Sequence, residues 1–103
     1  MRVGRSRFEE ALRRNLGFLK DLGYAEPVVE REGDEWFARY AGPGDAVSIR
    51  CAEDTDFLEF ALEDPAGAET AVASTSTGSE WTDERFESGF AARSDELRER
   101  LAR

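Results

Sequence analysis

Three runs of alternating apolar and polar residues occupy the middle of the chain and predict three strands, Glu35–Ala41, Ala46–Ala52 and Asp56–Glu63. In the first, Trp36, Ala38 and Tyr40 share one face, and Phe37 and Arg39 the other. In the second, Val47, Ile49 and Cys51 alternate with Ser48 and Arg50. In the third, Leu58, Phe60 and Leu62 alternate with Phe57, Glu59, Ala61 and Glu63. Gly42-Pro43-Gly44 and Glu53-Asp54-Thr55 punctuate the three runs. Clean alternation of this kind predicts an antiparallel sheet with one packed face and one wet face. Short links between successive runs favour a meander over crossovers.

Upstream, the spacing changes from two to three and four. Phe8, Leu12, Leu16 (or Asn15), Leu19 and Leu22 form one stripe, with Glu9, Glu10, Arg13, Arg14, Lys20 and Asp21 on the other side. This predicts a helix that starts at Ser6, where Ser6-Arg7-Phe8-Glu9 has the S-x-x-E form of a capping box. Met1–Arg5 is expected to fray. Gly17 weakens the helix interior, Gly23 is placed for a left-handed C-terminal cap, and Tyr24 is the apolar contact of that cap. Ala25–Glu32 then reads as a strand centred on Val28 and Val29. Pro27 argues for an edge position or a late start, and Gly33-Asp34 for a hairpin into the next strand.

Downstream, Asp64-Pro65-Ala66-Gly67 is a turn and Glu69–Ala73 a weak strand. Ser74–Ser79 reads as a polar loop. Thr82 caps a last helix, with Asp83 and Glu84 favourably placed against its dipole and Trp81 and Phe86 as a hydrophobic staple. Phe86, Phe90, Leu97 and Leu101 lie on one side. Gly89 is a candidate kink, with Ser94-Asp95-Glu96 a candidate second cap, and Glu96–Arg100 and Glu99–Arg103 are spaced for ion pairs. The expected fold is α+β: an N-terminal helix, an antiparallel sheet of four or five strands in meander order and a C-terminal helix, in two layers. Residues 1–103 form a single domain without internal repeats.

Charge adds to this picture. With 23 acidic against 14 basic residues the chain carries −9, which disfavours nucleic acid and anionic membranes as partners and favours a basic protein. The one cysteine, Cys51, has no partner for an internal disulfide and sits in an apolar strand pattern. No apolar leader follows Met1 and no run approaches a membrane span, so a cytoplasmic location is expected.

Candidate chemistry is sparse. The chain has no histidine, which removes Ser–His and Cys–His nucleophiles and imidazole metal sites. Glu53-Asp54-Thr55-Asp56 holds a D-x-D triplet suited to Ca²⁺ or Mg²⁺, but Leu58 stands where a third ligand belongs and the required glycine is missing. Glu59 and Glu63 share the wet face of their strand. They are a conceivable acid–base pair and a better docking surface for a cationic partner. The Ser74–Ser79 stretch lacks a phosphate-loop signature. Trp36 and Trp81 are better explained as core residues than as binding anchors. No catalytic residue, cofactor or metal is expected.

The run Phe18-Leu19…Gly23-Tyr24, followed by Trp36…Tyr40, Val47-Ser48-Ile49 and Phe60-Ala61-Leu62, resembles small uncharacterised bacterial α+β domains. Some of these are similar to the immunity proteins of toxin–immunity pairs. The similarity covers about the first two thirds of the chain. It implies a small, acidic, non-enzymatic, cytoplasmic protein. The leading expectation is therefore a protein-binding module, an immunity- or antitoxin-like inhibitor, whose acidic residues Asp54, Asp56, Glu59 and Glu63 meet a basic partner. A structural or regulatory homodimer, pairing through a sheet edge or the last helix, is the alternative. A small carboxylate-dependent enzyme comes third.

Overall fold

Val3, three residues from the N-terminus, is fully buried. In the computed structural model, which describes residues 1–103, its N–H donates to the Glu53 carbonyl at 2.9 Å. Its own carbonyl accepts the Trp36 indole N–H at 2.8 Å. Met1–Arg5 is thus pinned, not frayed. The pinning also moves the start of the first helix. That helix, α1 (Arg5–Leu16), begins directly behind an extended Gly4, so Ser6 lies inside it and no side chain caps it. The expected capping box does not form.

Gly17 separates α1 from a short α2 (Phe18–Asp21). Leu22 is already the C-cap and is 48% exposed, so it leaves the stripe. Gly23, at φ +94°, closes the helix as expected. Its N–H donates to Lys20 and that of Tyr24 to Leu19, the paired bonds of a Schellman motif.

The five strands are β1 (Val28–Glu32), β2 (Glu35–Tyr40), β3 (Ala46–Ala52), β4 (Leu58–Glu63) and β5 (Glu69–Thr75), in the order β1-β2-β3-β4-β5 with every neighbour antiparallel. β1 starts after Pro27 and is an edge strand, as that proline requires. Glu32 pairs with Glu35 across the two-residue turn. Of the turn residues only Gly33 has positive φ, +62°, the pattern of a type II′ hairpin. β5 runs through Ser74 and Thr75, which composition assigned to a loop. Phe60 pairs with Ala73 but Ala61 with Ala71, so Val72 is the extra residue of a bulge.

The last helix, α3 (Asp83–Leu101), is capped by Thr82, whose hydroxyl accepts the Arg85 N–H at 3.1 Å. The Trp81 and Phe86 rings meet edge-on at 5.4 Å. The helix is continuous through Gly89, where an added Cβ would make only an ordinary contact with the Trp81 ring. Ser94 is buried on its inner face, not a second cap. Arg93 pairs with Glu96 in place of the expected Glu96–Arg100, while Glu99–Arg103 stands at 3.7 Å.

α1 and α3 lie side by side on one face of the sheet, α3 over β4 and β5. One cluster of 20 buried residues fills the space between. Phe90 is its hub, within 5.4 Å of Phe60, 5.6 Å of Phe86 and 6.3 Å of Phe8 by ring centroids. Trp36 and Trp81 belong to this cluster, and the Trp81 N–H donates to the Ala52 carbonyl at 2.7 Å. The result is a two-layer α+β fold. No helix is long and apolar enough to cross a membrane.

Candidate functional site

With both helices on one side, the second face of the sheet carries no covering element. Strand register says what stands there. One row across the sheet is Glu30, Phe37, Arg50, Glu59 and Ser74; the next is Val28, Arg39, Ser48, Ala61 and Ala71. Glu32 and Glu35 flank the first row, and Glu63 and Glu69 the second. Six glutamates thus face two arginines over a floor of Val28, Phe37, Ser48, Ala61, Ala71 and Ser74.

Part of this charge is neutralised internally. Arg50 reaches Glu32 at 3.0 Å and lies over the Phe37 ring, 4.7 Å from its centroid. Arg39 spans β3 to Glu63 at 2.8 Å. Ser48 donates to Glu69 at 3.0 Å. Glu30, Glu35 and Glu59 have no such partner. Glu30 and Glu59 are three strand spacings apart, about 14 Å.

The four acidic residues singled out in the sequence do not converge. Asp54 is exposed at the turn between β3 and β4. Asp56 is 5% exposed and fully engaged. One of its oxygens accepts the N–H groups of Thr77 and Gly78 at 2.9 and 3.1 Å, and the other accepts the Thr77 hydroxyl. These bonds, the Thr77 hydroxyl foremost, hold its carboxyl below the usual range despite burial, with Arg85 adding to the effect. The Ser/Thr loop therefore spends its anion-binding N–H groups on an internal carboxylate. Asp56 is a structural residue, and the docking surface excludes it.

Glu53 is likewise turned inward, 4% exposed, and held by Arg31 at 2.7 Å and by Arg2. No three metal-ligating side chains come together anywhere in the chain. Glu59 and Glu63 lie on the open face, four residues apart along one strand. Their backbones are about 13 Å apart, and Glu63 is committed to Arg39. Cys51 is buried, and burial, with the Glu35 charge adding, pushes its thiol up to about 12, so it is no nucleophile.

Glu30, Glu32, Glu35 and Glu69 escaped sequence reasoning. The signal for three of them was present: a two-residue turn at Gly33-Asp34 pairs Glu32 with Glu35 and so places Glu30 opposite Phe37. The burial of Asp56 had no local signal, since its partners lie 21 and 22 residues away.

The molecule is thus a two-layer α+β protein with an uncovered acidic sheet face. Compared with models of protein families, with curated proteins and with solved structures, the chain finds no match. Its likeness to immunity-protein-like domains rests on sequence pattern alone.

Proposed function

We propose that the protein is a non-enzymatic binding module whose open sheet face receives a basic protein partner, in the manner of an immunity- or antitoxin-like inhibitor acting in the cytoplasm. The observation that carries this reading is the face itself, with six glutamates against two arginines and no covering element. Its internal ion pairs fix part of the surface in advance, which lowers the cost of ordering it on binding. The unpaired Glu30, Glu35 and Glu59 supply field for steering and contacts for register. Asp54, exposed at 61% of its side chain, lies beyond the strands and is approached by Arg2 at 3.5 Å.

The same charge argues against a homodimer through this face, because a two-fold contact would set like charges against each other. The commitment of Glu63 to Arg39 argues against Glu59 and Glu63 acting as a carboxylate pair.

The test is capture by the tagged protein from lysate of its native host, at low and at high salt. The expected result is one stoichiometric basic protein that is released at high salt. A partner that is acidic, or whose retention ignores salt, would contradict the reading.

A further inference from the structure

A second site lies on the other side of the molecule, where α1 and α2 stand off from the edge strand β1. The hollow there has a volume of about 320 Å³, at the small end of the range for small-molecule sites. Part of its wall is apolar: Leu12 and Leu16 from the helix, Pro27 and Val29 from the strand side. Gly17 opens it, since that position carries no side chain.

Two features are unusual for a mere packing gap. The first is Tyr40. It lines the hollow and is only 5% exposed, yet its hydroxyl makes no hydrogen bond to the protein. Among side-chain polar atoms sealed from solvent, only Arg7 Nε and Ser94 Oγ lack a partner. The Tyr40 hydroxyl therefore keeps its access through the hollow. The hydroxyl is thus free to bond a ligand in place of water.

The second feature is the rim. Arg13 and Lys20 stand on the helix side, neither in an ion pair. Glu26 stands on the strand side, also unpaired. Glu26 is near enough to Tyr40 to help burial hold that phenol above its usual range. The remaining rim acid, Glu9, is taken by Arg5 at 3.4 Å. The rim thus offers two free cations from the helices, Arg13 and Lys20, and one free carboxylate, Glu26, from the segment leading into β1.

We propose that this hollow binds a free apolar amino acid. The ammonium sits against Glu26 and the Tyr40 hydroxyl, the carboxylate against Arg13 and Lys20, and the side chain on Leu12, Leu16, Pro27 and Val29. The site is independent of the open sheet face.

The test is a titration followed by backbone amide chemical shifts, with three probes: L-phenylalanine, 3-phenylpropionate and 2-phenylethylamine. L-Phenylalanine should give saturable shifts confined to residues 9–20 and 24–29 and to Tyr40 with its strand neighbours. Each half-charged analogue should bind about tenfold more weakly, having lost one charge-assisted contact. Tyr40→Phe keeps the ring in the core and should weaken L-phenylalanine about tenfold. Glu26→Gln, at an exposed position, should abolish the preference for L-phenylalanine over 3-phenylpropionate. Wild-type-like thermal melting of both variants confirms that they fold. No saturation at millimolar probe, shifts centred on the open sheet face, or unchanged binding by both variants would overturn the proposal.

Discussion

Gly17 has helical dihedrals, φ −57° and ψ −26°, yet it interrupts the first helix. A Cβ there would meet only the Arg13 carbonyl oxygen at 3.4 Å, an ordinary contact. Gly17→Ala should therefore stabilise the protein by about 0.5–1 kcal/mol, read as a higher urea midpoint. Gly42 is the opposite case. A Cβ there would lie 2.3–2.9 Å from ring atoms of Tyr24, so Gly42→Ala must displace that ring and should cost about 1–3 kcal/mol.

Asp56 adds a pH dependence at the same scale. Its folded pKa is depressed, so its contribution is present above the unfolded value and is lost as pH falls through the lower folded one. Asp56→Asn should cost about 1–3 kcal/mol at neutral pH. It should also flatten the acid limb of the stability curve below about pH 4, where the wild-type carboxyl takes up its proton. Equal acid limbs in variant and wild type would remove the charged role assigned to this residue. In the sequence Asp56 reads as the first residue of a strand or as a metal ligand. Its true partners lie in a stretch that composition marks only as polar loop.

At the scale of elements, period governs what is legible. The core strands and the sides of both long helices follow from spacings of two and of three to four, because one face of each is buried. Features that depend on distant contacts do not show. β5 extends through Ser74 and Thr75 because it pairs with β4 and backs onto α3, which outweighs the loop-like composition of those residues. α3 runs through Gly89 because Phe86, Phe90 and Leu97 on either side of it are anchored in the core.

The N-terminal segment is the clearest instance. It has no periodicity, yet it closes the open end of β2 and β3 through Val3 and Arg2. Deleting Met1–Val3 would expose core beneath Val3, free the Trp36 N–H and leave Glu53 with one arginine instead of two. The expected loss is about 3 kcal/mol, seen as a lower urea midpoint with little change in slope. A midpoint within error of wild type would mean that the segment is an ornament on the fold.

For the whole molecule, the net charge of −9 is distributed unevenly. The seam between α1 and α3 is laced by Arg7 and Arg14 to Asp83 and Glu87, at 2.7–3.2 Å. The open sheet face keeps an excess of carboxylates. The sequence carried that excess in its alternation, but only strand order and register bring Glu30, Glu35 and Glu59 to the same side. The sheet edges are unsuited to pairing with another chain: β5 is bulged at Val72, and on β1 the Arg5 side chain donates to the Val29 carbonyl at 3.2 Å. On the proposed reading, the open face is the surface that meets the macromolecular partner.

The most direct test of that conclusion is the association rate of the captured basic partner across a range of ionic strength. It compares wild type with Glu30→Lys/Glu59→Lys. Neither glutamate holds an internal ion pair, so the fold should be untouched, whereas Glu63 would also release Arg39. The variant should associate at least about tenfold more slowly at low salt, with a flatter salt dependence. Glu84→Lys/Glu99→Lys on the solvent side of α3 should behave as wild type. Equal rates for wild type and the open-face variant would contradict the account, as would slowing by the α3 variant alone.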